Sequence, residues 1–130
     1  MEVRSKYESP LILDKIEIVE STFRKKETSL ENLELGVQVE HNLTKIDEDR
    51  YEVILLTTVS DKDEKVYVNV KGRAIFSTEQ ENMNILEKNT IAIIFPYIRS
   101  YISIITTQPG MEPIVLPAMN IVAMINDQKK

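Results

Sequence analysis

Cysteine is absent from this 130-residue sequence, and glycine occurs only three times. The lack of cysteine excludes disulfide bonds, thiolate metal ligands and a cysteine nucleophile. A phosphate-cradling loop needs clustered glycines, because backbone amides must approach the phosphate closely. Gly36, Gly72 and Gly110 lie far apart, which argues against a nucleotide-binding loop.

Basic charge and long hydrophobic runs are also scarce. The net charge of −5 argues against a nucleic-acid partner, because neutralising phosphates requires a basic face. The longest apolar stretch, residues 91–98, is well under half of the ~20 residues that a membrane-spanning helix needs. No apolar segment typical of a signal peptide follows Met1. We expect a cytoplasmic protein without membrane insertion.

Charge is unevenly distributed along what we interpret as a single domain, residues 1–130. From residue 88 to residue 128 the sequence carries only four charges: Lys88, Arg99, Glu112 and Asp127. A segment with so little charge must be largely buried, and a domain of this size has a limited interior. Part of the segment is therefore expected to contact another subunit or a partner.

The first half of the sequence has the two-residue period of β-strands. Apolar and polar side chains alternate over residues 33–40, the pattern of a half-buried strand. Further strands are expected at residues 11–23, 51–59 and 66–77. The alternation slips near Gly72, where we expect a bulge or a bend. Short polar connections favour a four-stranded antiparallel meander over about residues 11–78.

The second half is predicted to be helical over about residues 82–127. A short helix is expected at residues 82–88. Residues 91–107 are rich in β-branched side chains, which favour a strand, but Tyr97, Tyr101 and Ile105 repeat every four residues after Pro96. We therefore expect a long helix that begins at Pro96, where the missing N–H costs nothing.

Proline and glycine end that helix and shape the segment after it. Gln108-Pro109-Gly110 is a stop signal. Pro113 and Pro117 disfavour both a helix and a central strand, so the segment between them is expected to be an extended, apolar crossing loop. A short final helix is predicted at residues 119–127.

The residue types that commonly carry catalysis or bind metals are few. His41 is the only histidine, and we expect its polar side chain to face solvent beside Glu40 and Asn42. A histidine base needs a nearby nucleophile and an orienting acid, and the spacing nominates neither. The acidic run at residues 47–49 lacks the glycine of a calcium loop and is interpreted as a solvated turn. We expect no enzyme activity, no metal and no cofactor.

Three motifs in order resemble the SecB family of chaperones. Ala74-Ile75-Phe76-Ser77 resembles the family's small-Ile-Phe segment, which closes the fourth strand. Phe95-Pro96-Tyr97-Ile98-Arg99 is similar to its Phe-Pro-Tyr-Ala-Arg motif, which opens the long helix. Leu116-Pro117-Ala118-Met119-Asn120-Ile121 is similar to its Leu-Pro-Pro-Val-Asn-Phe segment. The separations between the three also fit the family.

The resemblance implies an α+β fold: a four-stranded antiparallel sheet, then a long helix, a crossing loop and a short C-terminal helix. It implies a homotetramer, a dimer of dimers, with grooves for unfolded polypeptides or preproteins, and no nucleotide or metal in the folded domain. The family delivers its clients to the motor SecA. At the positions of the family's acidic docking face this sequence has Glu20, Arg24, Tyr67 and Asn69, only one of them acidic. No residues here match the family's C-terminal extension with its zinc-binding cysteines and histidine.

Candidate site residues come from the motifs and the crossing loop. The candidates for a groove that contacts the client are Phe76, Phe95, Tyr97, Ile114, Val115, Leu116 and Met119. The alternative for each is packing within its own domain, which is favoured for the three aromatic residues. Candidates for the oligomer interface are Tyr101, Ile104 and Ile105, with the monomer core as the alternative. Glu20, Tyr67 and Asn69 are the candidates for docking to the motor.

Two functions remain open within the family. The first is an ATP-independent holdase that binds unfolded proteins or preproteins in an apolar groove, with a possible role in export. The second is a dedicated chaperone or adaptor for one partner, such as an antitoxin. A small enzyme is a third class, but no pair of residues in the sequence supports it.

Overall fold

The computed structural model describes residues 1–7, 9–80 and 82–128. Four β-strands are followed by two α-helices: β1 Ile12–Lys25, β2 Gly36–Lys45, β3 Arg50–Ser60, β4 Val66–Ser77, α1 Met83–Ile105 and α2 Ile121–Gln128. The strands form one antiparallel sheet. This confirms the predicted fold class and the order of its elements.

The order of the strands in the sheet is β1-β4-β3-β2. The expected meander therefore holds for β2, β3 and β4, but it is wrong for β1, which pairs with β4. The reason lies in the connection at residues 26–35, which is longer than the roughly two to five residues of a hairpin loop and does not force β1 next to β2. As a result, β1 and β2 are the two edges of the sheet.

One face of the sheet carries the core. The odd-numbered residues of β3 are buried, while the even-numbered residues from Glu52 to Ser60 are half-buried, as the alternation of a strand requires. The buried face includes Val53, Leu55 and Val59, and it packs against buried residues of α1. The opposite face of the sheet has no helix on it among the described residues.

Asp61 organises the connection between β3 and β4. Its carboxylate accepts hydrogen bonds from the N–H of Val66 at 2.8 Å and of Asp63 at 3.2 Å. Burial raises the pKa of the Asp61 carboxyl, but hydrogen bonds from the backbone amides around it outweigh that effect and hold the pKa below its ordinary value of 3.8. The charged carboxylate is therefore the form that fits this turn.

Helix α1 begins at a capped N-terminus and lies against β4 and β3. The side chain of Asn82 accepts hydrogen bonds from the N–H of Asn84 at 3.0 Å and of Ile85 at 3.3 Å, which satisfies donors that have no partner within the helix. The buried face of the helix consists of Leu86, Thr90, Ile91, Ile94, Phe95, Ile98 and Ile102.

Pro96 lies inside α1, so the expectation that a helix begins there is wrong. Proline lacks the N–H that would bond the carbonyl of Ala92. Both residues lie on the exposed side of the helix, where water can bond the free carbonyl. Burial of the opposite, isoleucine-rich side then outweighs the strand propensity of residues 91–98.

Gly72 lies where a buried side chain of α1 packs closely on the sheet. A Cβ atom at Gly72 would lie 2.7 Å from Cδ1 of Ile98, whose side chain is fully buried. The irregularity expected in β4 is found instead in β1, where the register shifts between Ile18 and Glu20 opposite Gly72 and Lys71. Val19 is thus the extra residue, and Gly72 provides room for the helix.

Helix α2 is short and amphipathic, and its apolar side packs against the core. Asn120 precedes it, and its side-chain oxygen accepts the N–H of Ala123 at 3.0 Å. Ile125 is fully buried, and Ile121 and Met124 pack against the core. Among the described residues, neither helix is both long enough and apolar enough to cross a membrane.

Candidate polypeptide-binding groove

The crossing loop, residues 106–120, is fixed to α1 through Ile114. The hydroxyl of Thr106 accepts the N–H of Ile114 at 2.9 Å and donates to the carbonyl of Ile102 at 2.7 Å. The hydroxyl of Ser103 donates to the carbonyl of Ile114 at 2.8 Å. Both backbone groups of Ile114 are thereby bonded by side chains of the helix end.

This attachment sets an in-out-in pattern along the loop. Ile114 is 9% exposed and Leu116 5%, while Val115 between them is 75% exposed. Alternation is the geometry of an extended chain, and it turns Val115 away from the core. The loop therefore presents a single aliphatic side chain to solvent at its centre.

A cleft of about 620 Å³ opens beside the loop. One wall is the crossing loop from Gly110 to Val115, and the other is the connection between β1 and β2. Its apolar lining consists of Leu30, Leu33, Leu35, Val66, Met111, Ile114 and Val115. The three leucines are half-buried, so the cleft offers accessible apolar surface on both walls.

The second wall of this cleft was not identified from the sequence; we call it the leucine wall, and it consists of Leu30, Leu33 and Leu35. Leu33 and Leu35 were predicted to belong to a strand, but β2 begins at Gly36, and the connection between β1 and β2 was interpreted as polar. The signal was present, because Leu30, Leu33 and Leu35 are apolar residues in an otherwise polar segment. Such residues in a surface connection mark either a small satellite core or a binding surface.

The structure does not bring the seven predicted groove residues together in one site. Phe76 is fully buried and Phe95 is 3% exposed, so both lie in the core between α1 and the sheet. Met119 is half-buried and packs on that core. Tyr97 is exposed but lines a different cleft. Of the seven candidates, only Ile114 and Val115 line the cleft beside the crossing loop.

That second cleft, of about 430 Å³, runs between β1 and α1. It brings together Tyr97, Tyr101 and Ile104 with Ile16 and Ile18 of the edge strand. Ile104 is 68% exposed, and the hydroxyls of Tyr101 and Ser21 lie 2.9 Å apart. Ile105 lies farther along the same side of the helix and lines a neighbouring cleft beside Phe23. The three predicted interface residues therefore share one side of the molecule.

The third predicted set lies on the open face of the sheet. The guanidinium of Arg24 stacks on the ring of Tyr67, 4.4 Å from its centroid, and the amide of Asn69 donates to the hydroxyl of Thr58 at 2.8 Å. Glu20, which is exposed, pairs across the strands with Lys71. Glu20, the single acid of this predicted set, thus has basic residues near it on the same face.

An ion-pair network lies on the same face. Arg73 donates to Glu52 at 2.6 Å and to Glu17 at 3.3 Å. The hydrogen bond to Glu52 is the largest cause that raises the pKa of Arg73 above its ordinary value. Two of the acids on this face are thereby paired with a shared cation within the sheet.

His41 does not face solvent as expected. Its side chain is only 11% exposed, and its Nε2 lies 3.4 Å from Oε1 of Glu87 on α1. His41 shares the inward face of β2 with Val39 and Leu43, so the strand alternation places it there. Among the described residues, no group of three or more metal-ligating side chains comes together.

Comparison with known proteins places this architecture in one family. Residues 11–130 match the family model described as preprotein translocase subunit SecB. The protein-export protein SecB of Methylobacillus flagellatus is 33% identical over 104 residues, which cover 75% of this chain and 66% of that protein. An uncharacterized protein of Methanocaldococcus jannaschii is 26% identical over 125 residues, covering 90% of this chain and 80% of that one.

A solved structure has the same fold. The SecB-like chaperone Rv1957 of Mycobacterium tuberculosis, solved in complex with a ChAD peptide from the HigA1 antitoxin, superposes with a TM-score of 0.69 over 85% of this chain and 88% of that chain, at 11% sequence identity. At that identity the likeness concerns the fold alone. Because the family model covers nearly the whole sequence, the chain belongs to the SecB family.

Proposed function

We propose that the protein is an ATP-independent holdase that binds unfolded polypeptides in the cleft between the crossing loop and the leucine wall. The observation that carries this proposal is Val115, 75% exposed between two buried neighbours and opposite half-buried leucines. Membership of the SecB family supports it. We place this activity in the cytoplasm, where preproteins are made, and we assign no enzyme activity to the protein.

The binding chemistry is the removal of apolar surface from water. A fully buried aliphatic side chain contributes roughly 1.5–3 kcal/mol, and the effect has no directional requirement. A client segment that covers Val115, Leu33 and Leu35 would therefore bind with little sequence specificity. Such contacts suit a chaperone that must accept many unfolded chains.

The seven predicted groove residues take different parts in this proposal. Val115 contacts the client, with Ile114 at the edge of the cleft. Phe76, Phe95, Leu116 and Met119 support the loop from the core side. Tyr97 belongs with the oligomer interface on the β1 side of α1.

We propose a homotetramer, a dimer of dimers, assembled through the surface between β1 and α1. Tyr97, Tyr101 and Ile104 expose apolar area there beside the edge strand. Contiguous exposed apolar side chains are typical of contacts between proteins, and an unpaired edge strand is a natural place for contact between copies.

A dedicated chaperone for one partner, such as an antitoxin, is the second candidate. It is favoured by the open sheet face, where Arg24, Lys71 and Arg73 accompany the acids. A SecA partner that recognises an acidic face would find little unpaired negative charge there. Under this candidate the protein binds one partner segment more tightly than unrelated unfolded chains.

The experiment that tests the holdase function is aggregation of a chemically unfolded, unrelated protein, followed by light scattering without ATP. We expect dose-dependent suppression that saturates near one tetramer per client. Suppression for several unrelated clients supports the general holdase. Failure with all of them, together with binding of one partner peptide, would instead support the dedicated chaperone.

A further inference from the structure

We infer that Thr106 and Ser103 form a hydroxyl clamp that fixes the register of the crossing loop and so determines which side chain the loop presents to the client. The inference rests on the proposed function and adds two positioning residues to it. Neither residue belongs to the predicted site, and neither lines the cleft.

The hydroxyl of Thr106 accepts a hydrogen bond from the loop and donates to the end of α1. The N–H of Ile114 can only donate, so the Thr106 oxygen accepts that bond. Its own proton is free for the carbonyl of Ile102 at 2.7 Å, while the carbonyl of Ser103 lies farther away at 3.4 Å. Thr106 is completely buried, where water cannot replace a lost partner. The hydroxyl therefore joins the last turn of α1 to the middle of the loop.

The clamp bonds the backbone of Ile114, a buried residue of the crossing loop. Ile114 is buried, and its N–H and carbonyl would be costly without partners. Helices and sheets supply such partners from the backbone, but here Thr106 and Ser103 supply them from side chains. Pro113 and Pro117 on either side have no N–H to offer, so the loop has few alternative ways to bond.

Register has a direct consequence for function. In an extended chain, a slip by one residue moves every side chain to the opposite face. Such a slip would turn Val115 into the core and expose Ile114 and Leu116. Holding Ile114 from both sides excludes this arrangement and keeps the cleft formed before the client arrives, which lowers the ordering cost of binding.

The matched control is the neighbouring residue, Thr107. It also carries a hydroxyl that donates to a helix carbonyl, that of Ser103 at 2.7 Å, but it is exposed and has no hydrogen bond to Ile114 among the described residues. Replacing either threonine by valine removes one hydroxyl at constant shape. Only Thr106→Val disconnects the loop.

The test measures hydrogen exchange at the Ile114 amide and the affinity for a fluorescently labelled, permanently unfolded polypeptide. We expect Thr106→Val to raise the exchange rate of the Ile114 amide about tenfold or more, in line with the loss of one buried hydrogen bond, and to weaken client binding about tenfold. Thr106→Ser keeps the hydroxyl and should therefore keep the exchange rate and the client affinity of the wild type. Thr107→Val should also have the wild-type exchange rate and affinity. If Thr106→Val fails to fold, Ser103→Ala serves as the second variant.

The outcomes separate the clamp from the holdase function. Unchanged exchange at Ile114 in a folded Thr106→Val variant would overturn the clamp. Faster exchange with wild-type client affinity would overturn its positioning role. If the wild type itself binds no unfolded polypeptide, the proposed function fails, while the exchange data still decide whether the clamp holds the loop.

Discussion

At the scale of single residues, Thr57 places a hydroxyl in the apolar core. Thr57 of β3 is completely buried, and its hydroxyl has no hydrogen-bond partner among the described residues. A buried hydroxyl without a partner costs free energy on the order of 1–3 kcal/mol. Its position between Val39 and Val70 on the neighbouring strands is otherwise apolar.

We therefore predict that Thr57→Val stabilises the protein by about 1 kcal/mol, because valine keeps the shape and removes the cost. Urea unfolding measures the change. Thr58→Val is the control and should destabilise, because Asn69 donates to the Thr58 hydroxyl on the other face. A loss of stability in Thr57→Val would show that the hydroxyl has a partner, such as a buried water.

The orientation of His41 shows which properties of a single residue could be predicted from the sequence. The alternation that correctly placed Val37 and Val39 inward also places His41 inward, but its polarity led to the opposite prediction. The compensating contact is Glu87, far away in sequence on α1. The sequence thus contained the direction of the side chain but not the partner that makes its burial acceptable.

At the scale of elements, the approach of α1 to the sheet depends on Gly72. A methyl group there would press on Cδ1 of Ile98 at 2.7 Å. The contact is with the end of a side chain, but that side chain is fully buried and has little room to move.

We predict that Gly72→Ala lowers the free energy of unfolding by about 1–3 kcal/mol, the usual cost of overpacking. Gly36→Ala is the matched control, since a Cβ there meets nothing nearer than 3.9 Å, and it should leave stability unchanged or slightly higher. Adding Ile98→Val to Gly72→Ala removes the pressed methyl group and should recover part of the loss. Full stability in Gly72→Ala alone would contradict the close approach.

The elements themselves were predictable to different degrees. The strands followed from alternation, and the crossing loop followed from Pro113 and Pro117. The start of α1 agrees with the helix expected at residues 82–88, but its continuation through residues 89–95 was not predicted, because the isoleucines before Pro96 favour a strand locally and become helical only through burial against the sheet. The pairing of β1 with β4 depends on contacts between distant residues, and the Thr106 clamp depends on side-chain hydrogen bonds, neither of which a local pattern encodes.

At the scale of the whole molecule, the proposed assembly uses the surface between β1 and α1. We predict that Ile104→Asp breaks the proposed tetramer into smaller species, because it buries a charge without a partner in an apolar contact. Sedimentation equilibrium measures the mass. Ile46→Asp, an equally drastic change at another exposed isoleucine, is the control and should leave the mass unchanged. A full-sized Ile104→Asp assembly would place the interface elsewhere.

The proposed client-binding surface beside the crossing loop is the second feature at this scale. Leu116→Asp, the natural choice from the sequence, would place a charge at a position that is 5% exposed and so would test folding rather than binding. Val115 is the suitable position, because it is 75% exposed and its replacement leaves the core intact.

The most direct test is the affinity of Val115→Asp for a labelled, permanently unfolded polypeptide, with Val3→Asp as the control at a valine that is 83% exposed outside the folded core. We predict that Val115→Asp binds about tenfold more weakly or worse, since it replaces roughly 1.5 kcal/mol or more of apolar burial with the cost of desolvating a charge. Val3→Asp should bind like the wild type, and both variants should keep the wild-type mass and melting temperature. Wild-type affinity in a folded, fully assembled Val115→Asp protein would contradict the placement of client binding beside the crossing loop.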